Sequence, residues 1–426
     1  MLNDEELSQQ IYSLAKELYP ICRSITGNGV RETLAALQQH IPLSIIEVPT
    51  GTKAFDWVVP KEWNIKQAFI ADENENIIVD FSNNNLHVVG YSVPVNQVMP
   101  LAELQKHLFS LPDQPDAIPY ITSYYKENWG FCLTHTQRQT LKEGQYHIVI
   151  DSELKEGNLT FGELIIKGDS DKEVFLSTYV CHPSMANNEL SGPCVSTFIA
   201  KWLLSSPRKY TYRIIFIPET IGSIVYLSKN LEAMKKNIIA GFNLSCIGDE
   251  RAYSYVASRY GNTYADKVAE NVLKFKDENF FKYSFLERGS DERQYCSAGV
   301  DLPLVALSRS KYSEYPEYHT SLDDFNLVTA KGLKGGYDMV EDCINIIENN
   351  AKPQINCLCE PQLGKRGLYP NFSTKATSCS VETMMDFIAY ADGSNDLIDI
   401  SNIIKKPVSD IIPIMHKLVE ADLMRL

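Results

Sequence analysis

The spacing of apolar residues changes along this chain, and the changes divide it into regions. Apolar residues at helical spacing from Leu7 to Leu18 predict a helix over 5–20, and a Gly-Asn-Gly turn leads into a second helix over 30–40. From about 51 to 168, short runs of alternating apolar and polar residues are separated by Asn, Gly and Pro clusters. This alternation is typical of strands and predicts a mostly β domain inserted after the first 50 residues.

After residue 168, strand and helix patterns alternate up to about residue 350. The segments "EVFLSTYV", "YRIIFIP", "IIAGFNLSCIG" and "LPLVALS" have the continuous apolar character of buried strands, and helical patterns lie between them. This order predicts a doubly wound α/β domain. Ligands of such domains bind at the carboxyl ends of the strands, so candidate chemistry is sought there.

The last region, 351–426, begins with a Pro-containing linker and continues with three short helical patterns. Their spacing predicts a winged-helix or helix-turn-helix unit. Residues 381–426 contain four Lys or Arg against eight Asp or Glu, a net charge of 4 − 8 = −4. A DNA-binding unit needs a basic recognition helix, so this balance favours a packing or oligomerisation module.

Composition and charge narrow the function classes. A chain of 426 residues with 44% hydrophobic content is too long to fold around one hydrophobic core of ordinary size. Its net charge of −14 provides no positive field that would attract nucleic acid or an anionic membrane. No apolar run reaches the roughly 18 residues of a spanning helix, and the N-terminus is acidic, unlike that of a secretion signal. We therefore expect a cytoplasmic protein whose ten scattered cysteines are reduced thiols. The sequence is also compatible with a homo-oligomer.

Potential metal ligands follow several of the predicted strands. Two histidines lie at strand ends, and carboxylate or amide residues occupy the neighbouring ends and one helix start. The candidates are His182, Asn188, Glu189, Glu219, Asp249 and His319. Imidazoles and carboxylates that converge on one sheet edge suit a divalent ion, with zinc as the leading candidate. Helix capping and surface charge would explain Glu189 and Asp249, but would not explain two histidines at strand ends.

The segment 169–350 resembles the zinc aminopeptidases of the co-catalytic bacterial leucyl aminopeptidase type. Their pattern is matched by His182 at a strand end, then "NNELSG", "PET", "SCIGD" and "EYHTSLDD". "GSDERQYCSAGVDLP" is similar to that family's Ser-Asp segment, which brings Ser290 and Asp291 near the site. The resemblance implies a doubly wound mixed sheet, a zinc site, and a small peptide or amide substrate.

The whole chain also resembles a bacterial and archaeal family often labelled as polysaccharide-biosynthesis proteins. The stretches "RSITGNGVR", "FDWVVPKEW", "CHPSMANNELSGP" and "EPQLGKRGLYP" carry this resemblance. It implies an aminopeptidase-like domain made from 1–50 and 169–350, an inserted β-rich domain over 51–168, and a winged-helix domain within 351–426.

Three positions depart from the aminopeptidase pattern. The Asp that bridges two zinc ions in those enzymes aligns with Asn188, which is neutral, so one ion is favoured over two. Their Glu-Glu pair becomes Glu219-Thr220, which leaves one carboxylate to act as ligand or as general base. The later Asp ligand aligns with Ser245 without a gap, and with Asp249 if the loop is longer.

The resulting hypothesis is a metal-dependent exopeptidase or amidase that acts on a peptide or on an amide of a cell-envelope precursor. One zinc ion would be held by the two histidines and by Asp249 or Glu189, with Glu219 as the base. Arg23 and Arg288 would bind a substrate carboxylate, although each is equally compatible with an ordinary ion pair.

Two alternatives belong to other classes. One is a catalytically altered aminopeptidase fold that binds a modified sugar or peptide, and the other is a regulator that acts through the C-terminal unit, which the acidic charge opposes. The aromatic segments "FDWVVPKEWNI" and "ITSYYKENWGF" would either form a wall over the cleft or fill the core of the β domain. Because aromatic residues in strands are usually packed inside, the core is favoured.

Overall fold

A computed structural model describes residues 3–368 and 375–426, without the side chains of 375–380. Its helices are α1 (Asp4–Leu18), α2 (Asn28–Gln38), α3 (Leu101–Leu104), α4 (His135–Gln139), α5 (Ser191–Leu204), α6 (Ile221–Asn237), α7 (Tyr264–Lys276), α8 (Glu292–Tyr295), α9 (Ala330–Asn349), α10 (Lys375–Tyr390), α11 (Leu397–Ile404) and α12 (Val408–Glu420). None of the described helices is both long enough and apolar enough to cross a membrane.

The strands alternate with these helices in the second half of the chain and cluster in the first half. They are β1 (Ser44–Pro49), β2 (Lys53–Ala54), β3 (Trp57–Val58), β4 (Glu62–Ala71), β5 (Ile77–Asp80), β6 (Val95–Pro100), β7 (Leu108–Phe109), β8 (Phe131–Cys132), β9 (Gln145–Lys155), β10 (Asn158–Ile166), β11 (Ser170–Tyr179), β12 (Tyr210–Ile217), β13 (Ile238–Leu244), β14 (Ser254–Val256), β15 (Phe281–Tyr283), β16 (Leu304–Ser308), β17 (Gln354–Ile355) and β18 (Met424–Arg425).

Eight strands form one large sheet in the order β1-β10-β12-β11-β13-β16-β14-β15. The central strands β12, β11, β13 and β16 are parallel, and antiparallel neighbours lie on both sides. Helices α1, α2, α5, α7 and α9 pack on one face, while α6 and α8 cover the other. The predicted doubly wound mixed sheet is confirmed. The central strands are apolar on both faces, and the helices on the two sides cover them.

The inserted domain contains a four-stranded antiparallel sheet in the order β5-β4-β9-β6 with its own apolar core. Its end differs from the predicted boundary at 168. Strand β10 pairs with β1 and β12 in the large sheet, so the insertion ends before Asn158. Alternation along "FGELIIKG" indicates a half-buried strand, but it does not show which of two sheets the strand joins.

The C-terminal region contains α10, α11 and α12 with a small sheet of β17 and β18. Helix α11 packs on α7 and α12 packs on α9, and Asn271 Nδ2 donates to Ser401 Oγ over 3.0 Å. The predicted helical unit is therefore attached to the main domain through buried apolar and amide contacts. The nine described cysteines are free thiols.

The start of α5 is held unusually close to the sheet, and this contact positions the loop before it. A Cβ on Gly192 would lie 2.3 Å from the carbonyl oxygen of Leu244 and 2.3 Å from Thr178 Oγ1. Only glycine fits against the ends of β11 and β13 at this distance. The Ser-Gly pair after "NNEL" is therefore a packing requirement of the helix start.

We predict that Gly192→Ala lowers the free energy of unfolding by at least about 2 kcal/mol, because backbone and helix must separate to admit the methyl group. Chemical denaturation followed by circular dichroism measures the change. Gly364→Ala is the matched control, since an added Cβ there meets nothing within 4 Å, and its effect should stay within about 0.5 kcal/mol. Equal stability of the two variants would contradict this packing account.

Candidate metal centre

The side chain of His182 is oriented by a carboxylate that lies behind it. After β11 ends, the chain reaches His182 and then a π-helical turn, Ala186–Leu190, that carries Glu189. Glu189 Oε2 accepts hydrogen bonds from the backbone N–H of His182 and from its Nδ1, both over 3.0 Å. This contact assigns the imidazole proton to Nδ1, so Nε2 is left as a lone-pair donor.

The same carboxylate pairs with Arg23. Arg23 Nε lies 3.3 Å from Glu189 Oε1 and donates to the carbonyl oxygen of His182 over 3.0 Å. Burial raises the pKa of Glu189, while the Arg23 charge and the hydrogen bond from the His182 backbone N–H lower it and favour the ionised carboxylate. Both side chains are 0% exposed, so Arg23 does not bind a substrate carboxylate as the sequence suggested, and Glu189 orients His182 instead of reaching the cavity.

Beyond Nε2 of His182 lies a cavity of about 340 Å³ that His182, Glu219 and His319 line together. Glu219 follows β12, and its Oε2 is 3.7 Å from His182 Nε2. Burial, and then the charge of Asp291, raises the pKa of Glu219 to about 8. One oxygen of Asp291 accepts from Thr220 N and Ser223 Oγ, each over 2.8 Å, and the other has no hydrogen-bond partner among the described residues.

His319 is the second imidazole at this cavity. Its ring centroid is 5.4 Å from that of His182, and its Nε2 is buried without a hydrogen-bond partner among the described residues. Burial lowers the pKa of both histidines to about 3, with further lowering by Arg23 at His182 and by His182 at His319. Two neutral imidazoles therefore face one cavity, in the form that binds a metal ion.

Asp323 connects the loop of His319 to the loop of His182. Its carboxylate accepts from the backbone N–H groups of Asn187 and Asn188 over 2.5 and 3.0 Å, and from the Tyr315 hydroxyl over 2.9 Å. Burial raises its pKa to about 6. The late Asp of the predicted motif thus positions the two histidine loops and does not line the cavity.

Two other predicted ligands occupy different places. Asp249 accepts from Ser310 N and Oγ, from Arg251 N and from Asn187 Nδ2, at 2.8 to 3.1 Å, so its oxygens hold neighbouring loops together. Asn188 Nδ2 donates to the Tyr179 hydroxyl over 2.8 Å, while its Oδ1 is buried and has no partner in the part of the chain that the structure describes. Asp249 is therefore not available as the third ligand, whereas the Asn188 oxygen remains free.

A tighter group of potential ligands lies behind His182. The Cys181 thiol, His182 and Glu189 have ligand atoms within 4.8 Å of one another. This group does not suit a cation, because His182 Nδ1 already contacts Glu189 and the guanidinium of Arg23 balances the carboxylate charge. The donors on the cavity side, two imidazole Nε2 atoms and the Glu219 carboxylate, match the chemistry of zinc better.

The arginine nearest the cavity is one that the sequence analysis missed. Arg288 lies at the surface, where it donates to the Phe285 carbonyl oxygen over 3.0 Å and covers the Phe285 ring. Arg293, five residues later, lines the cavity and hydrogen-bonds through Nη2 to Thr220 Oγ1. Both arginines belong to the same short segment, and only the turn into α8 decides which of them points inward.

The aromatic segments divide between the two predicted roles. Trp63 is 4% exposed and belongs to the core, as expected for a packed strand residue. Trp57, Tyr120, Tyr124 and Tyr125 instead line the cavity. Alternation alone did not separate them, because a residue that faces a cavity has the same spacing as one that faces a core.

Comparisons with known proteins extend this description. Residues 12–350 match the model of a family described as a domain of unknown function (DUF4910), and 351–426 match a winged helix-turn-helix family. A protein from Clostridium acetobutylicum named "putative polysaccharide biosynthesis protein with aminopeptidase-like domain" is 46% identical over 94% of this chain and 92% of its own length.

Solved structures show the same architecture. A crystal structure of a "putative peptidase" from Clostridium acetobutylicum is 44% identical, with a TM-score of 0.93 over 100% of this chain and 97% of that one. The zinc aminopeptidase BSAP from Bacillus subtilis is 12% identical, with a TM-score of 0.56 over 80% and 94% of the two chains. A peptidase M28 precursor from Shewanella amazonensis is 11% identical, with a TM-score of 0.55 over 84% and 97%.

At such low identity, the last two structures show a shared fold alone. The family match and the relative with the same domains together show what the chain is. It belongs to the family described as DUF4910, whose aminopeptidase-like domain is here joined to a C-terminal winged helix-turn-helix domain.

Proposed function

We propose that this protein is a zinc-dependent hydrolase that cleaves an amide or peptide bond at the cavity beside His182. The Clostridium relative is named for polysaccharide biosynthesis, which supports a substrate from cell-envelope polysaccharide or peptide metabolism. The aminopeptidase-like fold supports the reaction class, although fold alone does not assign an activity.

One observation carries the proposal: two neutral imidazoles, one buried and one half-buried, face the same cavity, and neither Nε2 atom has a hydrogen-bond partner among the described residues. His182 is fixed from behind by Glu189, and His319 Nε2 has no partner among the described residues. A buried polar atom without a partner is costly, so such an arrangement implies a ligand at that point. The two ring centroids are 5.4 Å apart, and a cation that drew the rings together would accept both lone pairs, since neutral imidazole is a common zinc ligand.

We assign Glu219 as the third ligand, and this revises the role of base that the sequence suggested. Ligand atoms about 2.0–2.1 Å from zinc in tetrahedral geometry are separated by roughly 3.3–3.5 Å. Glu219 Oε2 and His182 Nε2 are 3.7 Å apart, close to that separation. Glu219 is also the carboxylate that lines the cavity, whereas Glu189 lies behind His182 and Asp249 binds its own loops.

A single ion is favoured over a bridged pair. Two cations held about 3.5 Å apart require a bridging negative charge, and Asn188 at that position in the motif is neutral. Its amide nitrogen is already bonded to Tyr179, which fixes the orientation of the side chain. Thr220 likewise replaces a carboxylate, so the site lacks the anions that a second ion would need.

When bound, the metal would polarise the scissile carbonyl and lower the pKa of a bound water. The chain itself supplies orientation and hydrogen-bond donors. Tyr120 and Tyr124 share one hydrogen bond between their hydroxyls, 2.6 Å apart, so one of their two protons remains for a group in the cavity. Burial raises the pKa of both well above the usual value, which keeps them protonated as donors to a developing oxyanion.

We predict about one zinc ion per chain in protein purified without added metal, measured by elemental analysis. His182→Ala and His319→Ala should each lose it, since each removes one of three ligands. His147→Ala in the inserted domain is the control, because that ring contacts Asn96 far from the cavity lining and should leave the metal content unchanged. Metal-free wild type that also stays inactive after zinc is added would move the assignment to a binding protein built on this fold.

A second prediction separates the two roles of Glu219. Glu219→Gln keeps the size of the side chain but removes its charge, so a ligand role predicts about 10-fold or greater loss of zinc affinity together with loss of turnover. Competition with a chromogenic chelator gives the affinity, and hydrolysis of amino-acyl amides gives the turnover. Full zinc affinity without turnover would instead return Glu219 to the role of general base.

The third prediction concerns the orientation of His182. Glu189→Gln should weaken zinc binding by about tenfold or more, because the neutral amide no longer raises the basicity of the imidazole. It should also destabilise the fold by about 3–5 kcal/mol, since Arg23 is left buried without a counter-charge.

Adding Arg23→Met to Glu189→Gln should recover stability but not zinc affinity, which separates the two effects. Glu153→Gln, an exposed carboxylate on β9, is the control for both measurements. Zinc affinity that follows stability in all three variants would show that Glu189 acts only through folding.

A further inference from the structure

Arg293 lines the cavity of the proposed active site with much of its hydrogen-bonding capacity unused. Its Nη2 donates to Thr220 Oγ1, and its Nε is buried with no hydrogen-bond partner in the described ranges. Within 3–368 and 375–426, Arg293 takes part in none of the ion pairs, although arginines such as Arg23 and Arg213 pair with buried carboxylates. A guanidinium charge left without a partner at a cavity wall is costly unless a ligand supplies the counter-charge.

The neighbouring acids meet this need only in part, because Asp291 and Glu219 both lie within electrostatic range of Arg293 but neither forms an ion pair with it in the described part of the chain. Asp291 uses one oxygen for Thr220 N and Ser223 Oγ, and its other oxygen bonds to none of the described residues. The charge of Arg293 lowers the pKa of Glu219 against the effect of burial, so Glu219 lies within electrostatic range without a direct contact. If Glu219 binds the metal, its charge is used there, and the guanidinium remains available to a ligand.

The position of Arg293 is fixed by an unusual residue. Thr220 has φ 65° and ψ −75°, a conformation that a β-branched side chain rarely adopts. Its backbone N–H donates to Asp291, and its hydroxyl accepts from Arg293. Strain of this kind persists where the surroundings impose it, commonly at binding sites. Here the conformation of Thr220 directs its hydroxyl to the guanidinium of Arg293 and so holds that group at the cavity wall.

Much of the remaining lining is aromatic. Trp57 and Tyr125 contact edge to face with ring centroids 5.7 Å apart and remain partly exposed, so they form the rim. Tyr120 and Tyr124 lie deeper, and Tyr120 packs 5.1–5.2 Å from both candidate metal-binding histidines. Rings arranged in this way favour a planar or apolar group between the rim and the metal site.

We infer that the ligand of this cavity carries a compact anion, a carboxylate or a phosphate, that binds Arg293, together with a planar apolar group that packs on the aromatic residues. Guanidinium binds both anions through paired hydrogen bonds, and charge-assisted bonds of this type are strong. The inference deepens the proposed function by specifying its substrate class, but anion binding by Arg293 does not require that the site hydrolyse anything.

Isothermal titration of the full chain tests this with three probes: 3-phenylpropionate, phenyl phosphate and the neutral 3-phenylpropionamide. We expect at least one anion to bind about tenfold or more tightly than the amide, and the tighter anion identifies the source of the negative charge. Arg293→Gln should remove about tenfold or more of that affinity, whereas Arg293→Lys should retain part of it. Arg288→Gln, an exposed arginine on the same segment, should change nothing.

Repeating the titration after metal removal with a chelator separates this inference from the hydrolase proposal. Affinity that depends on Arg293 with or without metal supports the inference, even if no hydrolysis is found. The inference is overturned if the amide binds as well as both anions, if neither anion binds, or if chelation abolishes binding that Arg293→Gln leaves intact. If Arg293→Gln does not fold, the comparison of Arg293→Lys with Arg288→Gln decides in the same way.

Discussion

The site depends on one buried chain of interactions, from Arg23 through Glu189 to His182. A carboxylate without solvent is unfavourable, and Arg23 at 3.3 Å supplies the counter-charge that makes it tolerable. The carboxylate then accepts from His182 Nδ1 and orients the ring. Because Arg23 balances the carboxylate charge behind the histidine, the imidazole stays neutral and its Nε2 offers a lone pair to the cavity. Glu219 and His319 line the same cavity.

The sheet brings the other groups to this point. Glu219 and His319 follow different strands, and parallel strands end at the same edge, so distant sequence positions become neighbours. Asp323 then fixes the two histidine loops against each other through the backbone N–H groups of Asn187 and Asn188. The loops of this site also contain strained backbone, since His319 and Thr220 both have positive φ. The rigid sheet carries these irregular loops and holds them in place.

Sequence patterns predicted much of this architecture because they report local periodicity and order. The strand–helix alternation after 168, the first two helices and the C-terminal helices are all present in the structure. The sequence also singled out His182, Glu219 and His319, and the structure places all three in the lining of one cavity. The sequence did not predict the direction in which individual side chains point. Arg23 and Glu189 turn inward to face each other, and no local pattern distinguishes an inward ion pair from a substrate-binding one.

Chain topology accounts for the remaining differences. Strand β10 joins the large sheet rather than the insertion, and this choice depends on pairing with β1 more than a hundred positions away in the sequence. The sequence does not distinguish Asp249 from a metal ligand, because the residues that occupy its oxygens, Ser310 and Asn187, are about 60 positions away in the chain. Arg293 was missed and Arg288 chosen, because the short turn into α8 decides which side chain reaches the cavity.

Anomalous diffraction at the zinc absorption edge, from crystals grown with zinc, tests the central claim most directly. The account predicts one peak within bonding distance of His182 Nε2 and His319 Nε2 and in contact with Glu219, with Glu189 still bonded to Nδ1. A peak on the Nδ1 side of His182, among Cys181 and Glu189, or no peak at either place, would contradict it.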